Sequence, residues 1–144
     1  MNETIRRFGY PATLIAEYEH WVVLLRPSQP TLGSLILAAK SEAMRFAELP
    51  KEAFAELQSA AADIERALGA AVRYDKINYL MLMMVDPHVH FHVIPRYEGE
   101  RGARGVSVED AGWPKVPALA EAVTLEPEQV EALVEHFRGF WPSR

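Results

Sequence analysis

An α+β fold, with helices packed on an antiparallel β-sheet, is the class this sequence predicts. Two segments repeat apolar residues at helical spacing, and four short segments carry the apolar runs or alternation of strands. They follow one another as strand pair, helix, strand pair, loop, helix. With 144 residues and 49% hydrophobic content, the chain has the length and composition of a single domain with one core, spanning residues 1–144.

The first strand pair lies in "HWVVLLRPSQPTLGSLILAAK", where the apolar runs Trp21 to Leu25 and Leu35 to Ala39 flank a loop of Pro, Ser, Gln and Gly. The central helix is "LPKEAFAELQSAAADIERALG". Phe54, Leu57, Ala61, Ile64 and Leu68 recur on one face, a proline stands at its start, and Gly69 occupies the expected C-terminal cap. "RYDKINYLMLMMV" reads as a buried strand, and Asp86-Pro87 as the turn from it into "HVHFHVIPRY", whose strict alternation is that of a second strand. "EGERGARG", polar and glycine-rich, reads as a mobile loop. "DAGWP" reads as a turn anchored by a buried Trp113. The tail "EPEQVEALVEHFRGFW" is helical, with Pro127 near its first position and Val130, Leu133, Val134 and Phe137 on one face.

Composition excludes several classes of function. A net charge of -5 argues against wrapping a nucleic-acid backbone, which needs a basic footprint, while leaving single nucleotides open as ligands. The absence of cysteine removes disulfides, thiolate metal sites and a cysteine nucleophile. No segment has the apolar length of a membrane span or signal peptide, so a cytoplasmic location is expected.

Three of the five histidines, His88, His90 and His92, stand at every second position. A strand sends alternate side chains to one face, so the three imidazoles share a side while Val89, Phe91 and Val93 turn into the core. Same-face neighbours are about 7 Å apart, so the rings can converge only on an object lying over the sheet. Two chemistries fit. Neutral imidazoles can bind zinc, three of them plus water making a catalytic site. Alternatively one ring attacks phosphorus, and the others donate hydrogen bonds to phosphoryl oxygens. An ordinary pKa near 6.5 leaves a neutral, nucleophilic nitrogen available at neutral pH.

The string His88-Val89-His90-Phe91-His92-Val93-Ile94, followed by Pro95-Arg96, resembles the signature of the histidine triad, or HIT, superfamily. "LGSLILAAK", "AELPKEAFAEL" and "KINYLMLMM" resemble that family's glycine turn, the opening of its central helix and the strand before its triad; the likeness covers about residues 20 to 97. It implies a HIT-like fold and a nucleotide hydrolase or nucleotidyl transferase acting at the α-phosphorus of adenosine nucleotides. The bonds cleaved would be phosphoanhydrides or phosphoramidates, dinucleoside polyphosphates being one candidate substrate. It further implies that His90 attacks to form a covalent nucleotidyl intermediate, that His92 orients the site and donates to a non-bridging oxygen, and that His88 lies toward the leaving group. No metal or other cofactor is implied, and two-fold dimers are common in the family. A three-histidine zinc hydrolase and a nucleotide-binding protein with weak or no catalysis remain as alternatives.

Other residues are assigned under the same resemblance. Asn78 falls where relatives use asparagine near phosphate or ribose. Arg26 stands where relatives carry a ribose-binding Asp or Asn; arginine has no acceptor, so a phosphate contact replaces that role. Arg96 is expected at a distal phosphate; Arg101 and Arg104 read first as part of a solvated loop, with closure over a polyphosphate tail as the alternative, and Trp21, Val23 and Leu25 read first as core residues, with the wall of an adenine pocket as the alternative. Ser34, which replaces a common histidine after the turn glycine, is counted with Asn78, Arg26 and Arg96 as substrate-binding, and Met84 and Val85 replace common phosphate-binding residues. Asp86 is expected to cap the turn.

Overall fold

In the computed structural model, residues 1–142 are described. A short helix α1, Glu3–Arg7, opens the chain, followed by β1, Leu14–Glu17, and β2, Trp21–Leu25. After the brief β3, Ser28–Gln29, come β4, Leu35–Ala39, a 3-10 turn at Phe46–Glu48, and the long helix α2, Lys51–Val72. The second half holds β5, Lys76–Leu80; β6, His90–Arg96; β7, Glu100–Ala103; β8, Val106–Glu109; β9, Val123–Thr124; and α3, Pro127–Arg138. Five strands form an antiparallel sheet in the order β1-β2-β4-β6-β5, while β3-β9 and β7-β8 form two small pairs.

Register sorts the side chains into two layers. Val23 pairs with Leu37, and Leu37 with Phe91; these positions belong to the face carrying α2 and α3, where Trp21, Leu25, Leu35, Ile64, Leu68, Val93, Leu133 and Phe137 make the main core. The other face presents Val22 beside Ala38 and Ala38 beside His90, with Leu24 beside Ile36 and Ile36 beside His92. There Ile5 of α1 closes a smaller core over Val22, Leu24, Ile36 and Ala38. All five residues of β2, and of β4, are buried, as a strand covered on both faces requires.

The expected first hairpin is present, and its glycine has a specific job. Gly33 has φ +89°, and a Cβ there would meet Val72 at 3.0 Å and Leu68 at 3.3 Å, so the turn needs both the left-handed backbone and the missing side chain. The central helix is longer than its periodicity suggests. Gly69 lies inside it, and Arg73 takes the left-handed cap at φ 55°, its N–H bonding the Gly69 carbonyl. Its buried residues are Ala53, Ala60, Asp63, Ile64, Ala67, Leu68 and Val72, whereas Phe54 is 38% exposed. The reason is close approach: the Trp21 indole donates to the Ala53 carbonyl at 2.7 Å, which brings the small alanines onto β2 and turns Phe54 to the rim.

Three further expectations are corrected. β5 is a half-buried edge strand ending at Leu80, so Met81 to Val85 leave the sheet as a connector. "EGERGARG" is no loose loop but most of the β7-β8 hairpin, turned by Arg104 at φ 52° and Gly105 at φ 81°, a pair of positive φ values suited to a two-residue hairpin. The "DAGWP" turn is anchored by Asp110 rather than by Trp113, which is only half-buried. Asp110, 4% exposed, accepts from the Tyr97 and Gly112 backbone N–H groups and from two nitrogens of Arg96. The C-terminal helix has Pro127 in its first turn and ends at Arg138, short of Trp141.

Candidate active site

β6 begins at His90, so only two of the three histidines lie on the strand itself. His88 precedes it in a segment pinned by two backbone bonds, from Ala39 N–H to the Val89 carbonyl at 3.0 Å and from Val89 N–H to the Ala43 carbonyl at 3.3 Å. All three imidazoles are nearly enclosed, and α1 is what covers them. Phe8, just past that helix, packs its ring 5.5 Å from His90 and 5.8 Å from His92, centre to centre. The His90 and His92 rings are 5.2 Å apart in an edge-on arrangement.

Hydrogen bonds fix which nitrogen of each ring holds a proton. His90 Nδ1 lies 2.7 Å from the His88 carbonyl, which can only accept; Nδ1 therefore donates and Nε2 is left bare. His92 Nδ1 faces the Arg26 Nε–H at 3.3 Å, and a guanidinium can only donate. His88 uses both nitrogens away from the other two rings: Nδ1 is 2.9 Å from Thr4 Oγ1 and Nε2 is 3.2 Å from Glu42. Its backbone N–H also donates to Thr4 Oγ1 at 3.3 Å, so this histidine clasps α1 to the start of β6. Burial above all, then the charges of Arg26 and His90, pushes His92 down from 6.5 to about 4, with Asp86 pulling the other way.

A cavity of about 180 Å³ opens on this pair, lined by Leu82, Met83, Met84, Val85, Asp86, His90 and His92. That is below the ~300–1,000 Å³ of sites enclosing a drug-sized ligand. It matches a phosphoryl group and its immediate attachments better than a whole nucleotide. Met84 and Val85 are 86% and 80% exposed and bring no side-chain donors. Among the described residues, no group of three or more His, Asp or Glu side chains is arranged to hold a metal ion.

The remaining sequence candidates divide. Arg26 joins the histidines, its Nη1 held by the Ser28 carbonyl at 2.8 Å and the Ser28 hydroxyl at 2.6 Å. Asn78 shares the triad's face but stands opposite Ile94, farther along β6, and accepts from Arg96 Nη1 at 2.9 Å. Arg96 is 3% exposed and tied bidentately to Asp110 at 2.8 and 3.1 Å, so its guanidinium serves the turn instead of a distal phosphate. Ser34 is fully buried, with its hydroxyl donating to the Thr31 carbonyl at 2.8 Å, and offers no surface to a substrate. Arg101 bonds the Val72 carbonyl and lies over the Tyr97 ring, and Arg104 pairs with Glu135, so neither closes over the cavity. Trp21, Val23 and Leu25 belong to the helix-covered face and cannot wall a pocket on the histidine side. Asp86 binds Arg7 at 3.3 Å, steadying α1 rather than capping its own turn.

Thr4, Phe8 and Glu42 escaped the sequence reading. A signal for α1 existed: Asn2 precedes acidic Glu3 and basic Arg6 and Arg7, and its side chain accepts from the Ile5 N–H. Nothing in the sequence announced which sheet face that short helix would cover.

The HIT domain profile matches residues 7–99, more than half of the chain. The chain is 29% identical over 133 residues to adenosine 5'-monophosphoramidase hnt1 of Schizosaccharomyces pombe, an alignment covering 87% of this chain and 85% of that protein. Among solved structures, a histidine triad protein of Sinorhizobium meliloti superposes with a TM-score of 0.73 at 22% identity, covering 96% of this chain and 94% of that one. A histidine triad protein of Bradyrhizobium japonicum gives 0.71 at 19% identity, covering 98% and 96%. The chain belongs to the HIT family, the histidine triad class of nucleotide hydrolases and transferases that its sequence resembles.

Proposed function

We propose that the protein cleaves adenosine nucleotides at the α-phosphorus, phosphoramidates foremost, by way of a nucleotidyl group carried on His90. One observation carries the reading: the 2.7 Å bond from His90 Nδ1 to the His88 carbonyl holds the ring as the tautomer with a bare Nε2 beside the small cavity. In the first displacement the Nε2 lone pair forms a bond to phosphorus while the bond from phosphorus to the leaving nitrogen or oxygen breaks, the leaving group taking a proton from solvent. In the second, water attacks phosphorus and gives up a proton to solvent, the phosphorus–imidazole bond breaks, and the nucleoside monophosphate departs with His90 restored. The enclosed site supports this chemistry by positioning the reactants, with His92 beside His90 as the hydrogen-bond donor to a phosphoryl oxygen.

The phosphoramidate preference is supported by the fungal relative, whose name describes that activity. Dinucleoside polyphosphates are a second substrate class, and the engagement of Arg96, Arg101 and Arg104 in structural contacts makes them the poorer fit. Pairing of two copies is part of the proposal, and Phe46 and Phe54, 40% and 38% exposed on the α2 side, are the apolar surface for it. Sedimentation giving a single-chain mass at micromolar concentration removes that part alone.

The test of the reaction is turnover of adenosine 5'-phosphoramidate by wild type and His90→Asn. The expected result is loss of at least about a thousandfold in kcat with adenosine monophosphate binding kept. Near-normal turnover by the variant overturns the assignment.

A further inference from the structure

Among the described residues, Arg26 is the one charged side chain whose hydrogen bond ends on a ring of the His90–His92 pair. It follows β2 directly, on the sheet face of Leu24, and its backbone is locked there: the N–H donates to the Ser34 carbonyl at 3.0 Å, and its carbonyl accepts from Gln29 Nε2 at 2.6 Å. The guanidinium is locked as well, because Ser28 accepts twice from Nη1. With both ends held, the Nε–H approaches His92 as a fixed donor, unlike the usual mobile surface arginine.

A guanidinium never accepts, so the ring nitrogen facing it must be bare. The two rings are thus set in opposite tautomers by opposite partners. A carbonyl behind His90 forces its proton onto Nδ1, and a guanidinium behind His92 leaves the proton on Nε2. One ring then brings a lone pair to the cavity's edge and its neighbour, 5.2 Å away, brings an N–H. We propose that Arg26 is a positioning residue that fixes His92 in the tautomer carrying its proton on Nε2, making this ring the hydrogen-bond donor beside the nucleophilic nitrogen of His90. The catalytic consequence rests on the function proposed above; the tautomer assignment does not.

The other groups facing His92 do not perform this task. Phe8 packs its ring at 85° to that of His92 and has no polar atom, His90 is itself fixed by the His88 carbonyl, and the Asp86 carboxylate is engaged by Arg7.

Nitrogen-15 NMR of the imidazoles, on the full chain near neutral pH, tests the proposal directly. Wild type is expected to show a bare, hydrogen-bonded Nδ1 and a protonated Nε2 for His92, with the reverse for His90. In Arg26→Met the His92 Nδ1 signal moves to the position of a free nitrogen and the ring titrates closer to its ordinary value. Arg26→Lys, which keeps a charge without the planar N–H, preserves the low titration and loses the Nδ1 shift; it also serves if the Met variant does not fold. Turnover of the phosphoramidate falls about tenfold in kcat in Arg26→Met with little change in KM. A proton on His92 Nδ1 in wild type, or a His92 signal and titration unchanged in both variants, overturns the proposal. Failure of the His90 assignment shows up separately, as turnover that survives His90→Asn while the tautomers stand as described.

Discussion

At the scale of single residues, two of the places where polar groups are buried each give a measurable consequence. His92 is kept uncharged by burial and by Arg26, while in the unfolded chain it titrates at its ordinary 6.5. Between that value and about 4 the unfolded state binds more protons than the native one, so stability falls as pH drops through this window and levels off below it. Allowing for solvent screening, the loss is about 1–2 kcal/mol. Urea unfolding of His92→Gln at neutral pH and at the acid end of the window should show a smaller drop than wild type; equal drops contradict the account. The second place is the Arg96–Asp110 pair, both nearly fully buried. Asp110→Ala strands a cation and should cost about 3–5 kcal/mol in the same assay, and a cost under about 1 kcal/mol would mean the pair is solvated. These partnerships were the part of the site least legible in sequence. Alternation put His88, His90 and His92 in view, but Arg26 and Arg96 looked equally free, and only the fold decides that one meets a histidine and the other an aspartate.

At the scale of elements, what could be read was whatever repeats. The 2-residue period of β6 and the 3.6-residue period of α2 and α3 are local signals, and the strand and helix types they imply are present. What failed were features set by a neighbour. The buried face of α2 turned because Trp21 draws the backbone at Ala53 toward β2, and "EGERGARG" became a hairpin because Val106 and Val108 dock on the main core. The helix end went unread because Arg73, with an unfavourable left-handed backbone, does what a glycine usually does. That choice leaves stability unused. Arg73→Gly relieves about 1–2 kcal/mol of backbone cost and returns roughly half to one in unfolded-state entropy, so urea unfolding should show a gain of about 0.5–1 kcal/mol. A net loss would mean the Arg73 side chain contributes more than its exposure suggests.

At the scale of the whole molecule, the sheet separates two jobs. Its α2–α3 face supplies most of the core, and its other face holds the histidines under the small cover of α1. That cover is kept by Ile5, fully buried, and by the contacts of Thr4 with His88 and of Arg7 with Asp86. Ile5→Ala should cost about 2–5 kcal/mol and raise amide exchange first in α1, whereas uniform exchange across the sheet would show that the cover has no separate role. The central claim, a bare nitrogen on His90 that takes the nucleotide, is tested most directly by intact-protein mass spectrometry. The chain is mixed with adenosine 5'-phosphoramidate and quenched under alkaline conditions within a single turnover. The account predicts a species heavier by one adenylyl group, mapped to the peptide containing His90 and absent from His90→Asn. Full turnover with no such species, or an adenylyl group on another residue, contradicts it.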